Sequence, residues 1–188
     1  MIKGKIINLV PATLGDRQNV YEWCFHSETT KSHAGPPDFP EINIPTFEEF
    51  SEDYADYYFT GSELNKGRGF IITQNKIPVG FISYASFHLK PGKAELDIWI
   101  NSEANCGKGY GTDAIVSLTN YLYLKMNITD FIMRPAAKNP RANKSYLKAG
   151  FIESDALPNE YLLEEYLSVY GDGDYGEGET VLLRKKMK

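Results

Sequence analysis

At the junction between a strand-like run and a helix-like run, the chain reads Gly107-Lys108-Gly109-Tyr110-Gly111-Thr112. That placement leaves few folds open. Glycines let backbone amides close on a ligand, and the first turn of a helix carries roughly half a positive charge. Together they make a cradle for a diphosphate, to which Lys108 adds a cation. Before the turn, Ala94–Ile100 alternates, with Leu96, Ile98 and Ile100 on one face and Glu95, Asp97 and Trp99 on the other. After it, Ile115, Leu118 and Leu122 form the apolar stripe of a helix expected over about 112–125.

The other elements are read by the same signals. Lys5–Val10 reads as a strand and Asp16–Cys24 as a helix, followed by a Gly/Pro loop around 33–45. Thr46-Phe-Glu-Glu49 is a capping box opening a helix expected to reach Phe59. Gly69–Thr73 and Pro78–Phe87 form a hairpin through Gln74-Asn75-Lys76-Ile77. Asp130–Arg134 is a strand, Asn139–Lys148 a helix stopped by Gly150, Tyr161–Tyr170 a helix, and Thr180–Lys186 a last strand. Strands followed by alternating strand and helix make a mixed α/β sheet. With 188 residues and no linker or repeat, one domain over 1–188 is expected.

Composition removes several functions. No apolar run reaches the roughly 18–20 residues of a membrane span, and MIKGKIINLV is too short for a signal peptide, so a cytoplasmic location is expected. Cys24 and Cys106 are the only cysteines, with no Cys/His cluster, so no metal is expected. A net charge of −5 argues against nucleic acid as a partner. Lys and Arg are absent from 32–65 and from 152–183, both rich in Asp and Glu, and they gather at Lys108 and from Arg134 to Lys148. A basic centre between acidic flanks suits a protein that holds an anion centrally and meets a cation at its edges.

The cradle is not a P-loop, since GxxxxGK[ST] is absent, and the dinucleotide pattern GxGxxG would need Gly where Thr112 stands. Cys106-Gly107-Lys108-Gly109-Tyr110-Gly111 instead resembles the phosphate motif Q/R-x-x-G-x-G/A of the GNAT (GCN5-related) N-acetyltransferases, with Cys106 in place of Gln or Arg. Asn139-Pro-Arg-Ala-Asn-Lys-Ser-Tyr146-Leu-Lys-Ala-Gly150-Phe151 resembles a second element of that family, N-x-R-A-x-x-x-Y-x-K-x-G-F. The resemblance implies a central, mostly antiparallel sheet flanked by helices and acetyl-CoA as co-substrate. It also implies a direct attack by an amine with no acyl-enzyme, which leaves Cys24 and Cys106 without a nucleophilic role.

Further roles follow from the same resemblance. The backbone of Ile98, Trp99 and Ile100 would pair with the pantetheine arm, an amide there would polarise the thioester carbonyl, Asn139 would hold the coenzyme, and Tyr146 would protonate the departing thiolate. Asp97 lies ten residues before Gly107, a spacing similar to that of the catalytic aspartate in aminoglycoside 6′-N-acetyltransferases. It is therefore the first candidate for the base or for the anion that orients the attacking ammonium, with Glu95 as the alternative.

The acidic flanks suit a small cationic amine, an aminoglycoside first. Its expected contacts are Trp23, Asp38, Asp172, Asp174 and Glu177. Acetylation of ribosomal-protein N-termini, of a polyamine or hydroxylysine, or coenzyme binding without catalysis remain open beside it, as do monomer and homodimer.

Overall fold

The computed structural model describes residues 1–34, 43–173, 175, 176 and 178–188. Its strands are β1 (Ile2–Lys3), β2 (Asn8–Pro11), β3 (Gly67–Gln74), β4 (Ile77–Ala85), β5 (Lys93–Ile100), β6 (Asp130–Met133), β7 (Ile152–Glu153) and β8 (Leu183–Lys186). Its helices are α1 (Arg17–Phe25), α2 (Thr30–Ala34), α3 (Phe47–Asp53), α4 (Tyr57–Thr60), α5 (Tyr110–Met126), α6 (Pro140–Lys148), α7 (Pro158–Tyr161) and α8 (Leu167–Tyr170). These eight strands form one sheet in the order β1-β2-β3-β4-β5-β6-β8-β7. Every neighbouring pair is antiparallel except β5–β6, which is parallel. This is the mixed, mostly antiparallel sheet flanked by helices that the sequence led us to expect.

Alternation along the strands builds a core on each face. Leu9, Ile72, Ile82, Leu96 and Phe131 pack under α5, which presents Ala114, Ile115, Leu118 and Leu122. Ile71, Phe81 and Trp99 point the other way, under Val20, Tyr21 and Cys24 of α1, Phe50 of α3, and Tyr58 and Phe59 of α4. Leu96 and Trp99 thus serve opposite layers from one strand. Gly80 lies opposite Ile100 in the β4–β5 ladder, and a Cβ there would run into the Trp99 carbonyl oxygen. The missing side chain lets β4 seat against the end of β5.

Several expected elements are shorter than the sequence suggested, each for a visible reason. The strand expected from Lys5 is β2, which begins at Asn8, because the N–H groups of Lys5, Ile6 and Ile7 donate to the Asp113 carboxylate of α5 at 3.1, 2.8 and 3.2 Å. The Thr46–Glu49 capping box is present, but its helix ends at Asp53 instead of Phe59. Tyr54 takes φ −94° and ψ 67°, and a separate turn, α4, follows. Residues 161–170 are not one helix either. Lys90 N–H donates to the Tyr161 carbonyl and Leu163 N–H to that of His88, so this stretch pairs with 88–90 and winds again only afterwards. The last ladder strand starts at Leu183, with Thr180 held by an isolated bridge to Ala136.

That C-terminal segment is fastened by buried charge. Arg134, just past β6, donates through Nε and Nη2 to the Glu95 carboxylate at 2.6 and 3.0 Å, and through Nη1 to the Tyr170 carbonyl. His88 Nε2 shares the same carboxylate at 2.7 Å. Burial alone would push the Glu95 carboxyl up, but the His88 hydrogen bond and the Arg134 charge outweigh it, and the net direction is downward.

Three outcomes follow. Arg134→Met leaves Glu95 buried without its guanidinium and lowers stability by about 3–5 kcal/mol in thermal or urea unfolding, with Glu95→Gln in the same chain recovering part of the loss. Because the folded-state carboxyl lies below its ordinary value of about 4.3, its contribution is whole above that pH and is lost as pH falls through the folded value. Gly80→Ala costs about 1–3 kcal/mol in the same assay, by overpacking against β5.

Candidate active site

The β5–β6 pair parts where the site begins. Its ladder joins Lys93–Asp130, Ala94–Phe131 and Glu95–Ile132 and goes no further, while β5 runs on to Ile100 beside β4. Asn101 N–H donates to the Val79 carbonyl at 3.0 Å. By antiparallel alternation the odd-numbered residues of β5 therefore bond β4, and the even-numbered ones turn their backbone polar groups to the opening. Side-chain contacts agree: Ile98 N–H donates to Asp97 Oδ1 at 2.9 Å, and the Ile100 carbonyl accepts from Thr29 Oγ1 at 2.9 Å.

The opening leads into a cavity of about 710 Å³ on the α5 side, lined by Ile98–Ile100, Gly107, Gly109–Thr112, Asn139 and Tyr146. Gly107 and Gly109 have φ of +74° and +85°, and a Cβ on either would meet nothing closer than 3.7 Å. Glycine is needed at these two positions for the left-handed backbone and not for space. The turn delivers the chain into the N-terminus of α5, whose first amides have no acceptor within the helix. Thr112 Oγ1 lies 2.9 Å from Ser145 Oγ and ties α5 to α6.

Lys108 is exposed, and the cations among the cavity-lining residues are Lys5, Arg141, Lys144 and Lys148. Arg141 grips Glu103 across the mouth at 2.5 and 2.8 Å. A diphosphate-bearing coenzyme fits this combination of open glycine turn, helix start and surrounding cations. The sequence had gathered basic residues from 134 to 148, but only the winding of α6 shows that Lys144 and Lys148 share one face.

A second cavity, of about 680 Å³, lies on the other side of β5. Asp97, Glu95, Ser83, Tyr54, Tyr58 and Tyr170 line it together with Glu52 and Asp53. Asn139 and Tyr146 border both cavities. Asn139 sits at the start of α6, accepting from Ala142 N–H at 3.1 Å, with Pro140 behind it. Tyr146, one turn before the Gly150 stop, is buried, and burial first and Asp97 second push its phenol above the ordinary range. Its hydroxyl therefore stays protonated at neutral pH.

The two carboxylates on this face differ in setting. Glu95 is clasped by Arg134 and His88, as described above. Asp97 Oδ2 accepts from the Tyr54 hydroxyl at 2.8 Å. Nothing in the sequence around Tyr54 announced that contact, because it depends on the break after α3. Trp23 packs beside the second aromatic core, and Asp172 is exposed while its carbonyl accepts from Thr180 Oγ1 at 3.5 Å. Neither is among the lining residues. Asp38, Asp174 and Glu177 lie outside the described residues. Burial pushes both thiols up, at Cys24 with help from Asp97, so neither is poised as a thiolate. Among the described residues no His/Cys/Asp/Glu group is placed to hold a metal, and no helix is long and apolar enough to cross a membrane.

Comparison with known proteins agrees with this geometry. No curated protein sequence matches the chain. Similar solved structures include aminoglycoside acetyltransferase AAC(6')-Ib in complex with paromomycin and acetyl-CoA, at 18% identity and TM-score 0.67 over 96% of this chain and 93% of that one. Spermidine N-acetyltransferase from Vibrio cholerae, in complex with CoA and spermine, is 19% identical with TM-score 0.64 over 96% and 95%. The microcin self-immunity acetyltransferase MccE, with acetyl-CoA and AMP, is 16% identical with TM-score 0.67 over 97% and 93%. At these identities the likeness is one of fold. Residues 7–152 match the acetyltransferase (GNAT) domain family. The parted strands, the glycine turn and that match lead to one conclusion: the chain belongs to the GNAT family and is an acetyltransferase that uses acetyl-CoA as its co-substrate.

Proposed function

We propose that this chain, acting as one catalytic unit over 1–188, transfers acetyl to a primary amine of a small polycationic acceptor, an aminoglycoside first. The observation that carries the reading is the meeting of the two cavities at Asn139 and Tyr146, with Asp97 on the acceptor side of the strand whose backbone lines the coenzyme side.

Acetyl-CoA supplies the acyl thioester, and the residues of this chain do the rest. The α5 N-terminus with Gly107–Gly111, Lys5 and Lys144 would hold its phosphates, and the even-numbered backbone groups of β5 its pantetheine arm. Asp97 receives the acceptor ammonium and takes its proton at a carboxylate oxygen. The freed amine would then attack the thioester carbonyl; as the carbon–sulfur bond breaks, Tyr146 would give its hydroxyl proton to the sulfur and regain one from the newly acylated nitrogen. An amide of the open edge of β5, within Ile98–Ile100, would polarise the carbonyl. Glu95, clasped by a guanidinium and an imidazole, makes a poor proton acceptor, so we assign the base to Asp97.

The acceptor side supports a polycation. Desolvation, then the charges of Glu52 and Glu49, push the Asp53 carboxyl up. Crowded carboxylates of this kind are relieved by an incoming cation. AAC(6')-Ib has been seen with paromomycin, kanamycin and ribostamycin, each a multiply aminated sugar. A linear polyamine is the second reading, favoured by the aromatic walls Tyr54, Tyr57, Tyr58 and Phe87, whose faces suit alkylammonium groups.

Thiol release from acetyl-CoA with kanamycin, tobramycin, spermidine and N-terminal peptides decides between them. Turnover is expected with the aminoglycosides, and none with any aminoglycoside ends that assignment. Asp97→Asn lowers kcat by roughly 10²–10⁴, the range of a lost general base, and leaves acetyl-CoA affinity within about twofold by calorimetry. An unchanged kcat would remove Asp97 from the mechanism.

A further inference from the structure

Asp97 does not stand alone on its strand. One oxygen accepts from Ile98 N–H at 2.9 Å and the other from the Tyr54 hydroxyl at 2.8 Å. Together these two donors set the plane of the carboxylate. The phenol is itself fixed. Its ring stacks on Phe50 (5.1 Å between centroids, 18° between planes) and lies 5.4 Å from Trp99 and 5.0 Å from Tyr58. Trp99 and Asp97 are on the same face of β5, so the ring packs beside the carboxylate that its hydroxyl reaches.

The backbone breaks at this contact. Residues 47–60 carry no Gly or Pro, yet the helix stops at Asp53 and restarts at Tyr57. At the break the Tyr54 carbonyl accepts from Arg17 Nη2 at 3.2 Å, and the Tyr54 side chain enters between the aromatic core and Asp97. Burial, and after it the Asp97 charge, push the Tyr54 phenol well above its ordinary range, so it remains a donor at working pH.

We propose that Tyr54 is the positioning residue of Asp97: its hydroxyl clamps the carboxylate against β5 in the orientation that meets an acceptor ammonium in the aromatic cavity. The proposal rests on the reading of Asp97 given above and adds a residue that neither family motif contains. Tyr54 moves no proton itself; it acts through Asp97.

The test uses Tyr54→Phe, which keeps the ring and deletes the donor. Among the described residues, groups facing Asp97 are Cys24 from α1, Tyr58 from α4, Ser83 from β4 and Tyr146 from α6, with Glu95 two residues away on the same face of its own strand. The substitution keeps all of these side chains and releases the Ser83 hydroxyl from the Tyr54 phenol. Carboxyl carbon NMR, with the Asp97 resonance identified by its loss in Asp97→Asn, follows the titration of that group without any acceptor. Removing a donor to the anion is expected to raise its midpoint by about one pH unit in Tyr54→Phe. Incorporating 3-fluorotyrosine at position 54, a stronger donor, is expected to lower it.

With an amine that turns over, Tyr54→Phe is expected to lower kcat roughly tenfold at unchanged KM for acetyl-CoA. In an Asp97→Ala background the same change is expected to do almost nothing. An unmoved midpoint in both Tyr54 variants overturns the proposal, as does a kcat loss that persists in full without Asp97. Failure of Asp97→Asn to slow turnover strikes the assignment of the base instead, and the NMR result stands apart from it.

Discussion

Backbone groups in a protein interior must find partners, and the site of this chain follows from one place where a strand withholds them. Beyond Glu95–Ile132 the parallel strands β5 and β6 separate, and β5 continues with β4 on one side only. The freed edge is not left bare. Thr29 and the Asp97 carboxylate occupy the polar groups of Ile100 and Ile98. Side chains so short hold a few positions and can yield them. An extended ligand carrying amides, such as a pantetheine arm, satisfies such an edge as a strand would. The cleft opens where this parallel ladder ends, at the centre of the sheet.

Separation of the two cores gives that cleft two sides. One core, on the α5 face, is mostly aliphatic, and the glycine turn and Lys144 line the cavity beside it. The other is aromatic, built from Phe50, Tyr58, Phe59, Phe81 and Trp99. Alternation along β5 assigns Leu96, Ile98 and Ile100 to the first and Glu95, Asp97 and Trp99 to the second. On the proposed reading a coenzyme thioester and an amine would approach the same strand from opposite faces and meet where its edge is open. Tyr146 and Asn139 border both cavities there, on α6 and at its start.

What could be read from the sequence is what depends on local backbone chemistry. The glycine turn, the alternation of β5, the Thr46 capping box and the Asn139–Pro140 helix start are all written in neighbouring residues, and all are present. Departures occur where a distant group competes for the backbone. Asp113, more than a hundred residues away in sequence, takes three amides from the expected first strand. Residues 88–90 claim the stretch expected to wind from Tyr161. The clasp on Glu95 needed Arg134 and His88 to be brought together; in the sequence the shared face put Glu95 and Asp97 on equal terms, and only the spacing to Gly107 favoured Asp97. Likewise Lys108 stood out in the motif, yet the cations around the cavity come from α6 and the N-terminal loop.

The difference between these two carboxylates is the last step of the argument. Both lie on one strand, two residues apart, on the same face of the sheet. Glu95 is joined by charge to Arg134, and through it to the α8 carbonyl of Tyr170, so moving a proton onto it would loosen the C-terminal segment. Asp97 accepts from a phenol and an amide, which hold its direction. A carboxylate held in direction by such donors can still attract an ammonium and accept its proton. On this view one strand separates two tasks, stability at Glu95 and proposed chemistry at Asp97, by the donors that fix each side chain.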